Sequence, residues 1–280
     1  MTATKKNPEI SCEEFEFYTQ EHQGKKMIIK VSGGEFSTPE FSQLIQTTHL
    51  LLENDITIFL VFGGGVQIDK YYTEFSGKSR EKISGVGVTT PEVLEHGVLP
   101  AYNSLIQILE NKFSDMPFSV NTLSPNDLRV HSCIDCKKFG FIANPEKIAL
   151  DESKNLHIIG FVGEDASGQK YNVNADEIAL AITDQQKIDE VVFITGTGGI
   201  LDNSGEIISK VSEKNLQEMI AGNYPNVSVV GGMKKKCQEI IELLKAVPKV
   251  AMATSSTLQA ELFTKKGAGT LCYSKKYIVE

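Results

Sequence analysis

Four separate segments of the chain carry residue types suited to handling phosphate. Lys30 precedes a glycine pair, a glycine triplet follows the next predicted strand, Asp176 lies in the first turn of a predicted helix, and Lys236 follows a third glycine-containing turn. Phosphoryl transfer depends mainly on positioning the reactants and neutralising their charge, which lysines beside exposed backbone N–H groups can do. These segments therefore predict a phosphoryl-transfer site assembled from the ends of strands and helices.

The glycine triplet 63–65 allows two interpretations. Without side chains, its backbone can approach an anion closely and donate N–H groups to it, but glycine clusters are also common in tight turns. The standard nucleotide motifs are absent, because 77–79 (GKS) lacks the first glycine of a P-loop and neither 85–87 nor 196–198 is followed by the third glycine of a dinucleotide fingerprint.

Composition excludes several classes of protein. The 280 residues are 41% hydrophobic and carry a net charge of −8, which predicts a folded protein and disfavours a nucleic-acid partner. No run of about 18 apolar residues and no apolar signal segment occurs, so we expect a soluble, cytoplasmic protein without a membrane partner. Five scattered cysteines do not suggest a disulfide framework.

Strand and helix patterns alternate along most of the chain, which favours a largely parallel sheet covered by helices on both faces. Between 119 and 165 the pattern predicts only short strands and turns. The predicted strands are 27–31, 56–62, 191–195, 227–230, 250–253 and 269–273. The predicted helices begin at the turn 38–40, near 67, at 89–92, at the N-cap Asn174, at the N-cap Ser212, at Met233 and near Ser256.

Taken together, the segments resemble the amino acid kinase family, and most closely its acetylglutamate kinases. They occur in the family's order and spacing, and NVNAD is the most specific part. The segments are GKKMIIKVSGG, FLVFGGGVQID, NVNADEIALAI, VVFITGTGGIL, VVGGMKKKCQEI and ELFTKKGAGTLCY. The resemblance implies a three-layer αβα sandwich with two lobes. An arm at 1–24 would precede an acceptor-binding lobe at 25–185 and a nucleotide-binding lobe at 186–280.

The resemblance also implies a role for each matching residue. Lys30 would contact the transferring γ-phosphoryl group, Lys236 would hold phosphates from the nucleotide lobe, and Asp176 would orient both lysines. On the acceptor side, Gly63 and Gly64 would donate N–H groups and Asn172 would hold the acceptor. The remaining nucleotide contacts would come from Gly33, Gly34, Thr195, Gly196, Gly198, Gly232 and Met233.

The activity implied is ATP-dependent, Mg²⁺-assisted phosphorylation of the side-chain carboxylate of an N-acylated amino acid. The leading acceptor is N-acetyl-L-glutamate, which would give N-acetylglutamyl 5-phosphate in arginine biosynthesis. Alternatives are a different small carboxylate or phosphate acceptor, or a non-catalytic protein that binds ATP or an amino acid and regulates a partner. A homodimer is expected, and the N-terminal arm could link dimers into a homohexamer.

Two positions depart from the family pattern. Gly87 stands where acetylglutamate kinases carry an arginine that grips the acceptor's α-carboxylate, and Phe62 stands where a histidine is usual. The chain contains only two arginines, Arg80 and Arg129. Because a guanidinium can bind a carboxylate through two parallel hydrogen bonds, Arg80, seven residues before Gly87, is the candidate for compensation.

A possible metal-binding motif is weaker. His131, Cys133 and Cys136 have metal-ligand spacing, but a structural zinc site usually needs four ligands and no second C-x-x-C pair exists. We therefore interpret the cysteines as incidental thiols and predict no metal site.

Overall fold

The computed structural model describes residues 9–83, 86–132 and 138–275. The chain divides into two compact units. The terminal unit comprises the described residues of Met1–Met27, Thr38–Ile56 and Ile188–Glu280, and the middle unit comprises those of Ile28–Ser37 and Thr57–Lys187.

In the described residues the α-helices are α1 (Cys12–His22), α2 (Phe41–Glu53), α3 (Gly65–Ser76), α4 (Pro91–Val93), α5 (Leu99–Phe113), α6 (Ala175–Gln185), α7 (Glu213–Ala221), α8 (Gly231–Ala246) and α9 (Leu258–Phe263). A π-helical segment, Leu94–Val98, joins α4 to α5. The strands are β1 (Lys26–Val31), β2 (Thr57–Phe62), β3 (Lys82–Ile83), β4 (Val86–Gly87), β5 (Val120–Thr122), β6 (Leu128–Ser132), β7 (Ile142–Ile148), β8 (Leu156–Ile159), β9 (Val162–Glu164), β10 (Lys170–Val173), β11 (Glu190–Ile194), β12 (Lys210–Ser212), β13 (Lys249–Ala253) and β14 (Thr270–Tyr273).

The middle unit contains the strand order β1-β2-β8-β5. β8 pairs in parallel with both β2 and β5, with Ile58 and Val120 each opposite Leu156. β1 and β2 are buried from their second residue to their last, as expected for parallel strands covered on both faces. β1 is followed by a short 3₁₀ helix, Gly33–Ser37, which we call the β1 turn, and β2 is followed by the glycine triplet. The Gly63 N–H donates to the Val31 carbonyl, so the two segments lie at the same edge of the sheet.

Two smaller sheets complete the middle unit. β6, β7, β9 and β10 form a closed barrel, and β3 and β4 form an antiparallel pair. The prediction of short strands between 119 and 165 is confirmed. Asn172 on β10 lies opposite Ile142 on β7 and Val162 on β9, so the barrel fixes the chain just before α6.

The terminal unit has the strand order β12-β14-β13-β11. β11 and β13 are parallel, with Val191 opposite Val250, whereas β14 runs antiparallel to β13. Both β11 and β13 end in buried residues. The prediction of a mainly parallel sheet flanked by helices is therefore confirmed, with β14 as an antiparallel member.

Several local predictions are confirmed by the capping groups. The Asn174 side chain accepts the Asp176 N–H at the start of α6, and the Ser212 side chain accepts the Asn215 N–H at the start of α7. Gly222 ends α7 in the left-handed conformation, at φ 76°.

One predicted strand is wrong, and one predicted helix begins later than expected. Residues 227–230 form no strand; they lead into α8, whose N-cap is Val230 with 71% of its surface exposed. Apolar β-branched residues matched a strand here, but they pair with no neighbouring strand. The helix expected at Pro39 begins at Phe41, because Pro39 lies in a turn closed by a hydrogen bond from the Phe41 N–H to the Thr38 carbonyl. In the described residues no helix is both long enough and apolar enough to cross a membrane.

The helix α1 packs on α9 within the terminal unit. The ring of Phe15 lies 5.1 Å from that of Phe263, and the buried His22 Nε2 lies 2.9 Å from the carbonyl oxygen of Leu262. Burial lowers the pKa of His22; the nearby Glu190 carboxylate opposes this shift and the Lys249 ammonium adds to it.

We predict that His22 makes the protein less stable at acidic pH. A lowered folded-state pKa means that the unfolded state binds the proton more tightly. The contribution of neutral His22 is fully present above the unfolded-state pKa of about 6.5 and is lost as the pH falls toward the folded-state value. Urea unfolding at a series of pH values should show a smaller acid-side loss for His22→Gln, which keeps a donor toward Leu262. An identical pH slope in both proteins would exclude His22 as the titrating group.

Candidate functional site

The ion pair between Lys30 and Asp176 is the centre of the candidate site. Lys30 is the next-to-last residue of β1, and Asp176 is the second residue of α6. The Lys30 Nζ lies 2.7 Å from the Asp176 Oδ1, and the two side chains are 9% and 15% exposed. The strand and the helix thus hold opposite charges against each other, largely out of water.

The start of α6 favours a carboxylate at this place. The Asp176 N–H is bound by the Asn174 side chain, so the backbone of the first turn is fixed. The positive end of the helix dipole also stabilises a negative side chain in the first turn. Asp176 can therefore orient the Lys30 ammonium from a rigid support.

The glycine turns after β1 and β2 contact each other. Gln67 donates from Nε2 to the Gly33 carbonyl over 2.8 Å, and the Gly63 N–H donates to the Val31 carbonyl over 3.1 Å. A Cβ atom at Gly33 would lie 2.6 Å from the Gln67 Oε1 and 2.8 Å from the Gly63 oxygen. Gly33 is thus required by close packing between the turns. Donation from Gly63 to an acceptor, as the resemblance implies, would have to share or exchange its bond to Val31.

The other glycines of these turns differ in their surroundings. A Cβ at Gly64 would overlap the Phe161 ring, whereas a Cβ at Gly34 or Gly65 would meet nothing within 4 Å. α3 begins at Gly65 without a side-chain cap, so its first N–H groups have no capping side chain. The triplet is therefore a tightly packed turn at Gly64 and an open helix N-terminus at Gly65. Both interpretations of its sequence, a tight turn and a backbone that could bind an anion, fit this geometry.

Asn172 and Arg80 also lie in the middle unit. The Asn172 Nδ2 donates to the Thr89 Oγ1 over 3.2 Å. Arg80 is buried, and its Nε and one terminal nitrogen each lie 2.9 Å from the Asp69 Oδ1. The middle unit thus contains Lys30, Asp176 and the side chains assigned to the acceptor.

In the terminal unit, a tight turn follows β11. The Thr195 Oγ1 accepts the Gly198 N–H over 3.2 Å, and Gly198 adopts the left-handed conformation at φ 69°. A Cβ at Gly196 would meet nothing within 4 Å. The turn is consequently rigid at its base and open above Gly196.

The N-terminus of α8 lies in the same unit and has an environment suited to an anion. Gly231, Gly232 and Met233 begin the helix, which has no side-chain cap and no acidic residue in its first turn. The Lys236 Nζ lies 4.6 Å from the centre of the Phe193 ring, a cation–π contact. Phe193 is the next-to-last residue of β11. The Lys236 ammonium is thereby placed near the end of β11.

The structure brings Lys30 and Asp176 together, whereas Lys236 belongs to the terminal unit. Convergence of the two lysines around Asp176 stays a prediction. His131 lies on β6, and Cys133 and Cys136 fall outside the described residues. Among the residues that the structure describes, no three His, Cys, Asp or Glu side chains gather as metal ligands.

Sequence patterns missed three residues that shape the site: Gln67, Asp69 and Phe161. Gln67 and Asp69 follow the glycine triplet on the first turns of α3, where polar side chains facing inward could have been noticed. Phe161 has no comparable signal, because its contact with Gly64 joins distant parts of the chain.

The fold and the site define an α/β protein with a buried lysine and glycine turns at the ends of its strands and a second lysine on α8. A model of the amino acid kinase family matches residues 25–252. Because this match spans most of the sequence, the chain belongs to the amino acid kinase family.

Individual relatives agree with this assignment. The chain is 28% identical over 253 residues to an acetylglutamate kinase of Xylella fastidiosa, which covers 87% of this chain and 58% of that protein. It is 27% identical over 279 residues to an acetylglutamate kinase of Sinorhizobium fredii, covering 91% and 93%. The structure of N-acetylglutamate synthase from Neisseria gonorrhoeae, complexed with coenzyme A and N-acetyl-glutamate, has a TM-score of 0.83 at 17% identity, covering 95% of this chain and 63% of that one. At that identity the likeness shows the fold alone.

We predict that alanine destabilises the protein at Gly33 but not at Gly34, the next residue of the β1 turn. Gly33→Ala should lower the free energy of unfolding by about 1–3 kcal/mol, because its methyl group meets the Gly63 oxygen and Gln67. Gly34→Ala, with open space around it, should change stability by no more than about 0.5 kcal/mol. Urea unfolding measures both. Equal destabilisation by the two variants would contradict the packing described for this turn.

Proposed function

We propose that this protein is an ATP-dependent kinase that phosphorylates the side-chain carboxylate of an N-acylated amino acid. N-acetyl-L-glutamate is the leading acceptor, and the product would be N-acetylglutamyl 5-phosphate, an intermediate of arginine biosynthesis. The observation that carries the proposal is the Lys30–Asp176 ion pair beside the glycine turns of β1 and β2. Membership of the amino acid kinase family and the relatives called acetylglutamate kinases support it.

The proposed reaction needs little covalent chemistry from the protein. A carboxylate oxygen of the acceptor forms a bond to the γ-phosphorus, and the bond from that phosphorus to the β–γ bridging oxygen breaks, so that ADP leaves. The acceptor carboxylate is already ionised near neutral pH, since a glutamate side chain has a pKa of about 4.3, and no general base is required. What the protein must supply is alignment and positive charge.

Lys30 would supply that charge at the γ-phosphoryl group. Asp176 fixes the direction of the Lys30 ammonium, so the cation need not reorganise during transfer. Lys236 would neutralise phosphate oxygens from the nucleotide side, with Asp176 orienting it as well. Gly34 would lie beneath the phosphoryl group, where a residue without a side chain leaves open space.

The nucleotide would bind in the terminal unit at the turn after β11 and the N-terminus of α8. The open backbone at Gly196 and the first N–H groups of α8 suit phosphate oxygens. The residues that we assign to this side are Thr195, Gly196, Gly198, Gly232, Met233 and Lys236, with Gly33 and Gly34 from the β1 turn.

The donor set favours a magnesium ion carried by the nucleotide. Within the described ranges no carboxylate cluster is available to hold a divalent cation. Mg²⁺ commonly retains water and binds phosphate oxygens with few protein ligands, so ATP would bring it. When bound, it supplies further neutralisation of the phosphate charge.

We predict that substitution of any of the three charged residues abolishes most transfer. Lys30→Ala, Asp176→Ala and Lys236→Ala should each lower kcat/KM for N-acetylglutamate by about 100-fold or more, because each removes a group that stabilises or orients transition-state charge. Lys235→Ala is the matched control for Lys236, since Lys235 is half-exposed on the same helix. ADP release and acyl phosphate formation measure activity, and thermal unfolding checks the fold. Full activity in any of the three variants would remove this mechanism.

A second candidate keeps the fold but changes the acceptor or removes catalysis. It is favoured by Gly87, which replaces the arginine expected from the resemblance. We predict that the protein phosphorylates N-acetylglutamate with a higher kcat/KM than other acyl amino acids, carbamate or phosphorylated small molecules. Faster turnover of a different acceptor would support a kinase with that substrate in place of N-acetylglutamate. Tight ligand binding without turnover of any of them would favour a regulatory protein.

We also propose, from the same resemblance, that the protein is a cytoplasmic homodimer that α1 could join into a hexamer. The molar mass in solution, measured by light scattering, tests the assembly. A monomeric mass would reject it.

A further inference from the structure

We propose that Arg80 grips the acceptor's α-carboxylate and that Gly87 is a glycine because it provides the space for the Arg80 guanidinium. This inference rests on the proposed function and names the residue that sets its acceptor class. In this proposal Arg80 and Gly87 together determine which acceptor binds, because the Arg80 guanidinium lies against the backbone of Gly87.

The guanidinium of Arg80 packs directly against Gly87. A Cβ atom at Gly87 would overlap the Arg80 Cζ and would lie 2.5 Å from Nη2 and 2.6 Å from Nε. Any side chain at position 87 would therefore displace the guanidinium. Position 87 is also where the resemblance expects an arginine, so a guanidinium lies beside the same backbone position but comes from a different residue.

Asp69 holds one edge of this guanidinium. Nε and Nη2 both lie 2.9 Å from the Asp69 Oδ1, and these two nitrogens form the side edge of the planar group. The end edge, formed by Nη1 and the second hydrogen of Nη2, is the one that binds a carboxylate through two parallel hydrogen bonds. In the described part of the chain, the contacts of Arg80 use the side edge. Asp69 thus orients Arg80 and leaves the end edge for a ligand.

The charges around Arg80 favour an anion. The Asp69 Oδ2 lies 2.8 Å from the Lys82 Nζ, so one carboxylate is shared between two cations. This three-residue group has a net charge of +1, from two positive and one negative side chain. Lys82 is half exposed, whereas the Arg80 side chain is only 6% exposed, so Arg80 is the cation of the group that water solvates least and that gains most from a further anion. A ligand carboxylate would complete the group.

The chain connects this group to the rest of the acceptor side. Asp69 lies on α3, one helical turn after Gly65. Gly87 lies opposite Lys82 in the β3–β4 pair and precedes Thr89 by two residues, and the Thr89 hydroxyl accepts a hydrogen bond from Asn172. All of these residues belong to the middle unit, as do Lys30 and Asp176.

Calorimetric binding of N-acetyl-L-glutamate, in the presence of a non-hydrolysable ATP analogue, tests the proposal. Arg80→Gln should weaken acceptor binding by about 10- to 100-fold, as expected for loss of charge-assisted hydrogen bonds, without changing the affinity for the ATP analogue. Gly87→Ala should also weaken acceptor binding, although it keeps Arg80, because the added methyl group displaces the guanidinium. Arg129→Gln, which replaces the other arginine, is the matched control and should bind normally.

A ligand change tests the same contact without altering the protein. The α-carboxamide analogue of N-acetylglutamate lacks the α-carboxylate charge, so wild-type protein should bind it about 10- to 100-fold more weakly than the acid. Arg80→Gln should lose this preference. The double variant Arg80→Gln with Gly87→Arg should regain part of it, since the second change supplies a guanidinium from position 87.

The outcomes separate this inference from the proposed function. Wild-type binding of acid and amide with equal affinity, or unchanged binding by Arg80→Gln and Gly87→Ala, overturns the role of Arg80 alone. Failure of the wild-type protein to bind any carboxylate acceptor, while it binds the ATP analogue, overturns both. Thermal unfolding of each variant identifies those that do not fold, and in that event the acid–amide comparison on wild-type protein decides.

Discussion

The salt bridge between Lys30 and Asp176 is the interaction on which the site depends. Both side chains are largely buried, and removing an isolated charge from water costs several kcal/mol, so neither would be stable there without the other. The pair joins the end of β1 to the first turn of α6, two elements far apart in sequence. Its net effect on stability is small in such cases, because desolvation offsets the attraction. What it provides is a cation with a fixed direction.

The glycine turns follow from the same requirement for a fixed cation. In the proposed reaction a phosphoryl group would approach Lys30 past the turns after β1 and β2, where side chains would obstruct it. Gly33 and Gly64 provide the rigidity through close packing with Gln67 and Phe161, and Gly34 leaves open space. In the terminal unit the open turn after β11 and the uncapped α8 repeat this combination of a firm base and an exposed backbone.

Much of the fold could be predicted from local patterns in the sequence. Buried apolar runs gave β1, β2, β11 and β13, and caps such as Ser212 and Gly222 marked the ends of α7, since these signals act over a few residues. The strand predicted at 227–230 was wrong because a strand requires a neighbouring strand to pair with, and the segment's own sequence does not encode that partner. The Lys30–Asp176 pair was expected from the resemblance. The position of Phe161 against Gly64 was not, because a contact between distant segments leaves no periodic trace in the sequence.

The most direct measurement is a crystal structure of the protein with a non-hydrolysable ATP analogue, Mg²⁺ and N-acetylglutamate bound. The Lys30 Nζ should lie about 2.7–2.9 Å from an oxygen of the γ-phosphoryl group while it stays paired with Asp176, and the Lys236 Nζ should contact phosphate oxygens from the other side. A γ-phosphoryl group bound out of reach of Lys30, with the Lys30–Asp176 pair intact, would contradict the role proposed for that pair.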